Sequence, residues 1–265
     1  MRLLNKVIIV TGSTTGIGKA IALRCISEGA SVVVHGLEKD LGETVISQIG
    51  KEKSVLHVED IANEGAAGRL VNLAVKTFGK LDAVVNNAAI IHSSNIETTD
   101  HEVFEKVFGI NLLAPFALIR SALPELAKTK GCVLNIGSVN AYSGEPNLLA
   151  YSVSKGALMT LTRNLGDSLY REYGVRVNQI NPGWVLTERE IQRKRDHGLK
   201  DDWFAELPKT YAPSGRILLP EEIASASVYW LSDESGPVSG QVMDIEQYPF
   251  IGRNPPKDSS TIPSK

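Results

Sequence analysis

A glycine-rich turn near the start of the chain joins a short apolar run to an amphipathic one. The apolar run ends at Val10, and Gly12, Gly16 and Gly18 follow around Ile17, where the amphipathic run begins. Gly12 permits a tight turn, Gly16 lets a phosphate approach the backbone, and Gly18 lets a helix pack closely on a strand. The pattern therefore predicts a strand, a turn and a helix whose free N–H groups hold a dinucleotide pyrophosphate. Its spacing, Gly-x-x-x-Gly-x-Gly, on its own also fits an ordinary glycine turn.

Short β-branched runs alternate with longer amphipathic runs along most of the chain. This alternation predicts an α/β fold of the Rossmann type, in which helices cover both faces of a doubly wound parallel sheet. We expect a single domain over residues 1–246. The predicted strands are 6–10, 31–35, 55–58, 83–86, 132–136, 175–180 and 242–245. The predicted helices are 17–28, 41–49, 64–78, 102–128, 150–173 and 221–231.

Two segments depart from the alternation. Residues 184–219 are charged and weakly periodic, and a long connection of this kind often forms a lid over a ligand. We therefore predict a substrate loop there. Residues 247–265 are rich in proline, and we expect this C-terminal extension to be disordered over 256–265. Its aromatic residues Tyr248 and Phe250, with Arg253, are expected to pack on a neighbouring subunit.

Composition limits the choice of partners. The chain has 265 residues, is 43% hydrophobic and 22% charged, and carries a net charge of −2. This balance favours neither nucleic acid nor an anionic membrane as a partner. We expect no apolar stretch of membrane-spanning length and no secretory leader. Cys25 and Cys132 lack metal-ligand spacing, so no metal site is predicted, and two buried, reduced thiols suit a cytoplasmic protein.

Tyr151 and Lys155 lie four residues apart in a predicted helix and therefore share one face. We expect the ammonium of Lys155 to lower the pKa of Tyr151, so that the phenol can exchange a proton with a substrate oxygen. Ser138 follows the predicted strand 132–136, at the edge where such sheets bind ligands, and its hydroxyl can bind the same oxygen. Tyr-x-x-x-Lys alone also fits a surface pair. Asn111, inside a predicted helix, fits a functional residue or a tolerated polar one.

The end of the second predicted strand distinguishes NAD from NADP in folds of this type. Gly36, Leu37 and Glu38 stand there, so neither the usual acidic residue nor a phosphate-binding Arg is present. Glu38 would repel a 2′-phosphate, which favours NAD, whereas Lys39 keeps NADP open. Asp60 follows the third predicted strand, where it can accept a hydrogen bond from the adenine amino group or cap a helix.

In order and spacing, these motifs resemble the short-chain dehydrogenase/reductase family, in its short single-domain subgroup, over roughly residues 5–245. The resemblance is carried by 11–18, 86–89, Asn111, Ser138, Tyr151, Lys155 and 181–183. It implies an NAD(P)-dependent enzyme that interconverts a secondary alcohol and a ketone. It implies a Ser138–Tyr151–Lys155 triad, with Asn111 anchoring a water for proton release through Lys155. It also implies a homotetramer formed through the helices around 102–128 and 150–173.

The predicted cofactor-binding residues are Gly12, Thr14, Thr15, Gly16, Ile17, Gly18, Leu37, Asp60, Ile61, Asn87, Ala88, Ala89, Tyr151, Lys155, Pro182, Val185 and Thr187. By the same resemblance, the last three position the nicotinamide carboxamide. The chain departs from the family at 245–248, where Ile-Glu-Gln-Tyr replaces the usual Val-Asp-Gly-Gly.

The candidates for contact with substrate are His92, Asn140, Glu145, Trp184 and the loop around 188–195. His92 also fits an ordinary loop residue. If Asn140 and Glu145 face inward, the pocket has hydrogen-bonding and acidic character, which favours a sugar, a polyol or a hydroxy acid. Two alternatives remain, a non-catalytic dinucleotide sensor and an epimerase or dehydratase on the same fold. A sensor does not need the triad, and such epimerases usually carry Gly-x-x-Gly-x-x-Gly and a longer substrate domain.

Overall fold

A parallel sheet of seven strands forms the centre of the computed structural model, which describes residues 1–249 and residue 251. The strands are β1 (Val7–Val10), β2 (Ser31–Gly36), β3 (Ser54–Val58), β4 (Ala83–Asn86), β5 (Cys132–Ile136), β6 (Arg176–Pro182) and β7 (Val242–Ile245). Their order across the sheet is β3-β2-β1-β4-β5-β6-β7. The predicted doubly wound parallel sheet is confirmed. The predictions for Phe250, Arg253 and 256–265 concern positions outside the described residues.

Helices connect the strands and cover the sheet. They are α1 (Gly16–Ser27), α2 (Lys39–Ile49), α3 (Ala66–Phe78), α4 (His101–Phe108), α5 (Ala114–Thr129), α6 (Asn140–Ser143), α7 (Leu149–Tyr173), α8 (Glu188–Asp196) and α9 (Pro220–Leu231). A π-helical segment, Gly109–Leu113, joins α4 to α5, and a 3-10 turn, Asp233–Ser235, follows α9. The predicted helix 102–128 is therefore three elements, and the short α6 and α8 were not predicted.

Alternate side chains of the strands build two cores, one on each face. In β1, Ile8 and Val10 belong to the core that includes residues of α1 and α9. Val7 and Ile9 belong to the other core, which includes residues of α3 and α5. Because both faces are buried, each central strand is apolar throughout and does not alternate with polar residues.

The strand order reverses between β1 and β4, because the chain leaves β3 at one edge and returns to the centre of the sheet. At such a switch point the loops after the two strands diverge and leave a crevice at the carboxyl edge. The loop after β1 carries Gly12, and the loop after β4 carries Asn87 and Ala88. The fold therefore opens its crevice between two of the predicted motifs.

The stretch His101–Thr129 is long and apolar enough, by length and composition, to cross a membrane. This corrects the expectation that no stretch of such length occurs. Leu118, Ala122 and Leu126 of α5 are buried in the core beneath the sheet. Packing of this face accounts for the apolar composition without a bilayer, since a core helix needs a comparable apolar stripe.

Both cysteines are free and buried, as expected. Burial raises the pKa of the Cys25 thiol and of the Cys132 thiol. Both are therefore protonated, unreactive core residues at neutral pH. Among residues 1–249 and 251, no three His, Cys, Asp or Glu side chains come together in an arrangement suited to a metal ion.

Candidate active site

The turn between β1 and α1 forms the floor of the crevice. Gly12 and Gly16 have φ of +61° and +55°, a region that favours glycine. A Cβ on Gly12 would lie 2.9 Å from Ala88 Cα, and a Cβ on Gly18 would lie 2.3 Å from the Gly12 carbonyl oxygen. No side chain therefore fits between the turn and its surroundings. This close approach of backbone at the start of a helix suits a dinucleotide pyrophosphate.

Asn87, predicted to bind the cofactor, braces this turn. Its Nδ2 donates to the carbonyl oxygens of Thr11 at 2.9 Å and Gly12 at 3.0 Å. The backbone N–H groups of Asn87 and Ala88 both donate to Thr11 Oγ1, each at 3.0 Å. These bonds tie together the two loops of the switch point, so the shape of the turn depends on β4 as well as on its own glycines.

His35, at the end of β2, is a part of the site that the sequence did not reveal. Its Nδ1 accepts the Gly12 N–H at 3.3 Å, and its Nε2 is buried with no hydrogen-bond partner among the described residues. Burial, reinforced by neighbouring His57, lowers the pKa of His35 to about 4. The imidazole is therefore neutral at neutral pH, as an accepting nitrogen requires. One indication of this role was present in the sequence, because His35 directly precedes Gly36 and Leu37, where the cofactor is expected to be selected.

The residues after β2 form a polar cluster with the turn. A Cβ on Gly36 would lie 2.5 Å from Thr14 Cγ2, so glycine is needed for Thr14 to approach. Thr14 Oγ1 donates to Glu38 Oε2 at 3.4 Å, and Arg189 Nη2 donates to Glu38 Oε1 at 3.2 Å. Leu37 is 57% exposed. Glu38 thus turns toward the predicted cofactor site, with a cation from α8 that the sequence did not connect to it.

Other predicted cofactor residues lie along the same edge. Thr15 is the N-cap residue of α1, and Ile61 is buried just after β3. Asp60 Oδ1 accepts the Ala62 N–H at 2.9 Å and so caps a turn. The N-cap of α3 is Gly65, which removes the alternative of a helix cap for Asp60.

The segment 184–219 follows β6, which ends at Pro182. It begins with Val185, which forms a β-bridge with Leu218 and so closes the base of the segment. Thr187 Oγ1 then accepts the Glu190 N–H at 3.1 Å and caps α8. The predicted lid is therefore partly helical and its two ends are joined.

Glu188, in the first turn of α8, reaches the turn after β1. Its Oε2 accepts the Gly16 N–H at 3.0 Å. The Thr187 methyl carbon lies 3.3 Å from where a Cβ on Gly16 would stand. A carboxylate is favoured at the N-terminus of α1 for the same reason as a phosphate. The lid helix therefore closes on the predicted pyrophosphate site and presents a negative charge there.

The lid packs around two tryptophans. Trp184 stacks on Trp203 with ring centroids 5.2 Å apart, and its Nε1 donates to Glu190 Oε1 at 2.8 Å. Glu190 is 7% exposed and accepts two hydrogen bonds from Arg193, each of 2.9 Å. Lys194 Nζ lies 5.1 Å from the centre of the Trp184 ring. Trp184, a predicted substrate contact, therefore serves the packing of the lid itself.

The residues after β7, where the sequence departs from the family pattern, anchor the lid. Glu246 Oε2 accepts the Trp184 N–H at 3.0 Å. Gln247 Oε1 accepts the Ser214 N–H at 3.0 Å, and Gln247 Nε2 donates to the Arg216 carbonyl oxygen at 2.6 Å. The unusual ending thus ties both ends of the lid to the sheet.

Ser138, Tyr151 and Lys155 come together at the carboxyl edge, and all three are buried. The Ser138 hydroxyl donates a hydrogen bond to the Tyr151 phenol. Lys155 Nζ lies 5.6 Å from the centre of the Tyr151 ring and donates to the Ile136 carbonyl oxygen at 2.8 Å. Ser138 Oγ accepts the backbone N–H of Asn140, a predicted substrate contact, at 3.1 Å. This hydroxyl is therefore oriented by its neighbours toward the phenol.

Burial decides the protonation of this pair. It raises the pKa of Tyr151, and the hydrogen bond from Ser138 and the positive charge of Arg193 offset it only in part. Burial also lowers the pKa of Lys155 to about 8. The expectation that Lys155 brings the pKa of Tyr151 down is therefore wrong, because the cost of burying a phenolate outweighs the attraction of an ammonium 5.6 Å from the ring. Tyr151 keeps its proton at neutral pH.

Asn111 lies in the π-helical segment, a type of distortion that clusters at functional sites. Its Oδ1 accepts the Ile90 N–H at 2.9 Å, and its Nδ2 donates to the Ile90 carbonyl oxygen at 3.0 Å and to Ser154 Oγ at 3.1 Å. Ser154 Oγ donates to the Tyr151 carbonyl oxygen at 2.6 Å. Asn111 therefore links the loop after β4 to the helix that carries Tyr151, and the predicted water-anchoring role stays a prediction.

Asn181 has a specific role that the sequence did not indicate. Its Oδ1 accepts the Ser138 N–H at 3.1 Å and Gln179 Nε2 at 2.7 Å, and its Nδ2 donates to Asp244 Oδ1 at 3.1 Å. A Cβ on Gly137 would lie 2.1 Å from this oxygen. Asn181 therefore fixes the backbone that presents Ser138.

A cavity of about 380 Å³ lies between the loop after β4, the residues before α7, and the end of α8. Glu145, a predicted substrate contact, lines it, whereas His92 is exposed and does not. A larger cavity of about 1200 Å³ lies near Gly174 and Arg176, at the amino edge of the sheet and away from every predicted site residue. The smaller cavity adjoins the start of α7, the helix that carries Tyr151, because Leu148 lines it.

The reversal of strand order, the glycine turn and the buried Tyr–Lys pair together define the class of protein, a Rossmann-type dinucleotide-dependent oxidoreductase. The sequence profile described as enoyl-(acyl carrier protein) reductase matches residues 12–247. The chain is 35% identical over 239 residues to the NADP-dependent (R)-specific alcohol dehydrogenase of Lentilactobacillus kefiri, which covers 88% of this chain and 92% of the relative. It is 34% identical to glucose 1-dehydrogenase 2 of Bacillus subtilis (strain 168), with 92% and 94% covered.

Among solved structures, the chain resembles 3-ketoacyl-(acyl-carrier-protein) reductase from Brucella melitensis complexed with NADH. The TM-score is 0.81 at 28% identity, over 92% of this chain and 97% of that one. The chain belongs to the short-chain dehydrogenase/reductase family. It is an NAD(P)-dependent enzyme that acts on CH–OH groups of small molecules.

Proposed function

We propose that the enzyme interconverts a secondary alcohol and a ketone, with Tyr151 as general acid and base. The observation that carries the proposal is the buried group of Ser138, Tyr151 and Lys155 at the edge of the sheet that also carries the phosphate turn. When bound, a nicotinamide supplies or accepts the hydride. The backbone around Gly12 and Gly16 would hold its pyrophosphate once the Glu188 carboxylate leaves the Gly16 N–H, since the glycines themselves place no side chain there.

Side chains of the protein donate and transfer the proton. Because burial raises the pKa of Tyr151, the phenol carries a proton that it can give to a carbonyl oxygen during reduction. The Ser138 hydroxyl offers that oxygen a second donor. Lys155, with a pKa of about 8, changes charge close to neutral pH and can pass a proton onward. The relay through a water at Asn111 is part of this proposal.

We infer a preference for NAD over NADP. Glu38 places a carboxylate within 3.4 Å of Thr14 at the end of β2, and a negative charge there disfavours a 2′-phosphate. Arg189 offsets part of this charge at 3.2 Å. Glu38→Gln should therefore shift the ratio of kcat/KM for NADH and NADPH toward NADPH. An unchanged ratio contradicts the inference.

The substrate class that we propose is a sugar, a polyol or a hydroxy acid. The cavity near the start of α7 is lined by Ser93, Thr98 and Asn147 among others, so it offers hydroxyl and amide groups to a polar molecule. Turnover of a panel of sugars, polyols, hydroxy acids and steroids tests this class. Activity confined to apolar ketones contradicts it.

Tyr151→Phe tests the mechanism. Binding of NADH, followed by its fluorescence, should survive the change, whereas turnover should fall by about a hundredfold or more. Tyr170→Phe is the matched control, since Tyr170 lies on the same helix and is 38% exposed. If the protein is a sensor, the wild type itself should show no turnover. Turnover that persists in Tyr151→Phe would contradict the role of the phenol.

We also propose a cytoplasmic homotetramer that pairs α4, α5 and α7. Three exposed apolar side chains support this assembly: Leu113 at the end of the π-helical segment, Phe116 in α5 and Val153 in α7, which are 57%, 43% and 48% exposed. The buried free thiols suit a reducing compartment. Light scattering of the purified chain tests the assembly, and a monomer at micromolar concentration contradicts it.

A further inference from the structure

The cavity near the start of α7 has one basic wall. Arg193, Lys194 and His197, from the end of α8 and the residue after it, form this wall. Among the described residues that line the cavity, Glu145 is the single carboxylate. With histidine counted as neutral, Arg193 and Lys194 face the one carboxylate of Glu145, whereas the chain as a whole carries a net charge of −2.

The cavity is connected to the reacting group. Arg193 lines it and is also close enough to Tyr151 for its charge to lower the pKa of the phenol. Ser94, which also lines the cavity, is hydrogen-bonded through its backbone to the start of α7. Its N–H donates to the Asn147 carbonyl oxygen at 2.9 Å, and its carbonyl oxygen accepts the Leu149 N–H at 3.0 Å. Leu148 also lines the cavity, and the Glu145 N–H donates to Ser152 Oγ, beside Tyr151, at 3.3 Å. We therefore expect a small molecule whose carbonyl oxygen reaches Tyr151 to extend into this cavity.

The positive charge of the wall is only partly neutralised inside the protein. Arg193 is paired with Glu190, but Lys194 makes no salt bridge within the described chain. Its ammonium lies over the rings of Trp184 at 5.1 Å and Trp203 at 5.8 Å. Such contacts hold an ammonium in place without cancelling its charge. Lys194 is therefore available to an anion.

Ser94 provides an independent sign of a ligand. Its side chain is 4% exposed, and its Oγ has no hydrogen-bond partner within residues 1–249 and 251. Burying a hydroxyl without a partner is unfavourable. An acceptor oxygen on a ligand in the cavity, which Ser94 lines, would satisfy this donor.

We propose that the physiological substrate is an anionic hydroxy or oxo compound, whose carboxylate or phosphate binds between Lys194 and His197 and accepts a hydrogen bond from Ser94. This assignment rests on the proposed function, because it needs the reacting carbon at Tyr151. It selects hydroxy acids, or phosphorylated sugars and polyols, among the proposed substrate classes. Glu145, the expected acidic group, does line the cavity, and the basic wall adds positive charge to it.

Matched ketones test the assignment by kinetics. Acetoacetate and its methyl ester differ chiefly in charge, and so do dihydroxyacetone phosphate and dihydroxyacetone. The two pairs separate a carboxylate from a phosphate. We expect kcat/KM to be at least about tenfold higher for the anion in one of the pairs. The preference should weaken as salt is raised, because ions screen partly exposed charges.

Variants of the basic wall give a second readout. Lys194→Gln should raise KM for the preferred anion by about tenfold, leave kcat and the neutral partner unchanged, and be rescued by Lys194→Arg. Arg195→Gln is the matched control, since it removes the same charge from the next residue. Arg195 pairs with Asp201 at 2.6 Å and does not line the cavity.

The outcomes separate this inference from the proposed function. The anion assignment is overturned if the neutral ketones are turned over as well as the anionic ones or better. It is also overturned if Lys194→Gln lowers kcat/KM equally for the anionic and the neutral ketone of a pair. Either result leaves the proposed function standing. If none of these ketones is turned over, the proposed activity is not supported by these substrates. The anion assignment is then tested by ligand binding alone. The fluorescence of Trp184 and Trp203 should then change when either anion is added to Tyr151→Phe, and no response to both anions overturns the assignment.

Discussion

Replacing Glu188 by glutamine should tighten the binding of the dinucleotide. Glu188 Oε2 accepts the Gly16 N–H at 3.0 Å, at the N-terminus of α1. A pyrophosphate held by this turn needs the same backbone group. The carboxylate therefore competes with the cofactor for its own site, and glutamine keeps the size of the side chain while it removes the charge.

The magnitude follows from two terms. An exposed carboxylate at a helix N-terminus contributes about 0.3–1 kcal/mol, which is lost when a phosphate takes its place. Once displaced, the carboxylate lies within roughly 6 Å of two phosphate charges, and each pair costs about 0.7 kcal/mol in water before salt screening. With screening, the sum is about 1–2 kcal/mol. The Kd for NADH should therefore fall about five- to thirtyfold.

Fluorescence titration of NADH measures this effect, and it should be larger at about 0.01 M than at about 0.15 M salt. Glu172→Gln is the matched control. It removes the same charge from an exposed residue near the end of α7, at the amino edge of the sheet. An unchanged Kd in Glu188→Gln, or an equal shift in both variants, would refute the competition, since the second result reports only net charge.

Three further changes probe the turn, the lysine and the lid. Gly18→Ala should weaken NADH binding by at least about tenfold, because its Cβ would lie 2.3 Å from the Gly12 carbonyl oxygen; Gly68→Ala, with nothing within 4 Å of its Cβ, should leave the Kd unchanged. Burial lowers the pKa of Lys155 from 10.5 to about 8, so the unfolded chain binds more protons than the folded one between these values. The free energy of unfolding of the wild type relative to Lys155→Gln should therefore rise with pH across that window, by up to about 1.4 kcal/mol per pH unit. Urea unfolding measures it, and a difference between the two proteins that stays constant with pH would contradict the prediction. Glu246→Ala removes an anchor of the lid and should speed tryptic cleavage within 184–219, whereas wild-type cleavage rates would show that the anchor is dispensable.

Helices with an apolar stripe and strands buried on both faces could be predicted because their sequence periods are local. α8 could not. Its nine residues contain one apolar side chain, Ile191, so no stripe marks it as a helix. The π-helical segment was hidden for a different reason, since the helical period around Asn111 continues through it while the hydrogen bonding changes.

The candidate site shows the same division. That Tyr151 and Lys155 share one face follows from their spacing alone, and so does the need for glycine at a tight turn. The positions of the charged side chains around them do not follow from the sequence. Glu188 meets Gly16 across 172 positions of the chain, and Arg189 meets Glu38 across 151.

The sequence by itself therefore determined the class of fold, the glycine turn after the first strand and the shared helical face of Tyr151 and Lys155. Each of these depends on residues that are neighbours in the chain or repeat with a regular period. The tertiary structure decided that Tyr151 keeps its proton, that the Glu188 carboxylate accepts a hydrogen bond at the glycine turn, and that the cavity near the start of α7 has a basic wall. These properties depend on burial and on distances between charges, and only packing brings distant residues together.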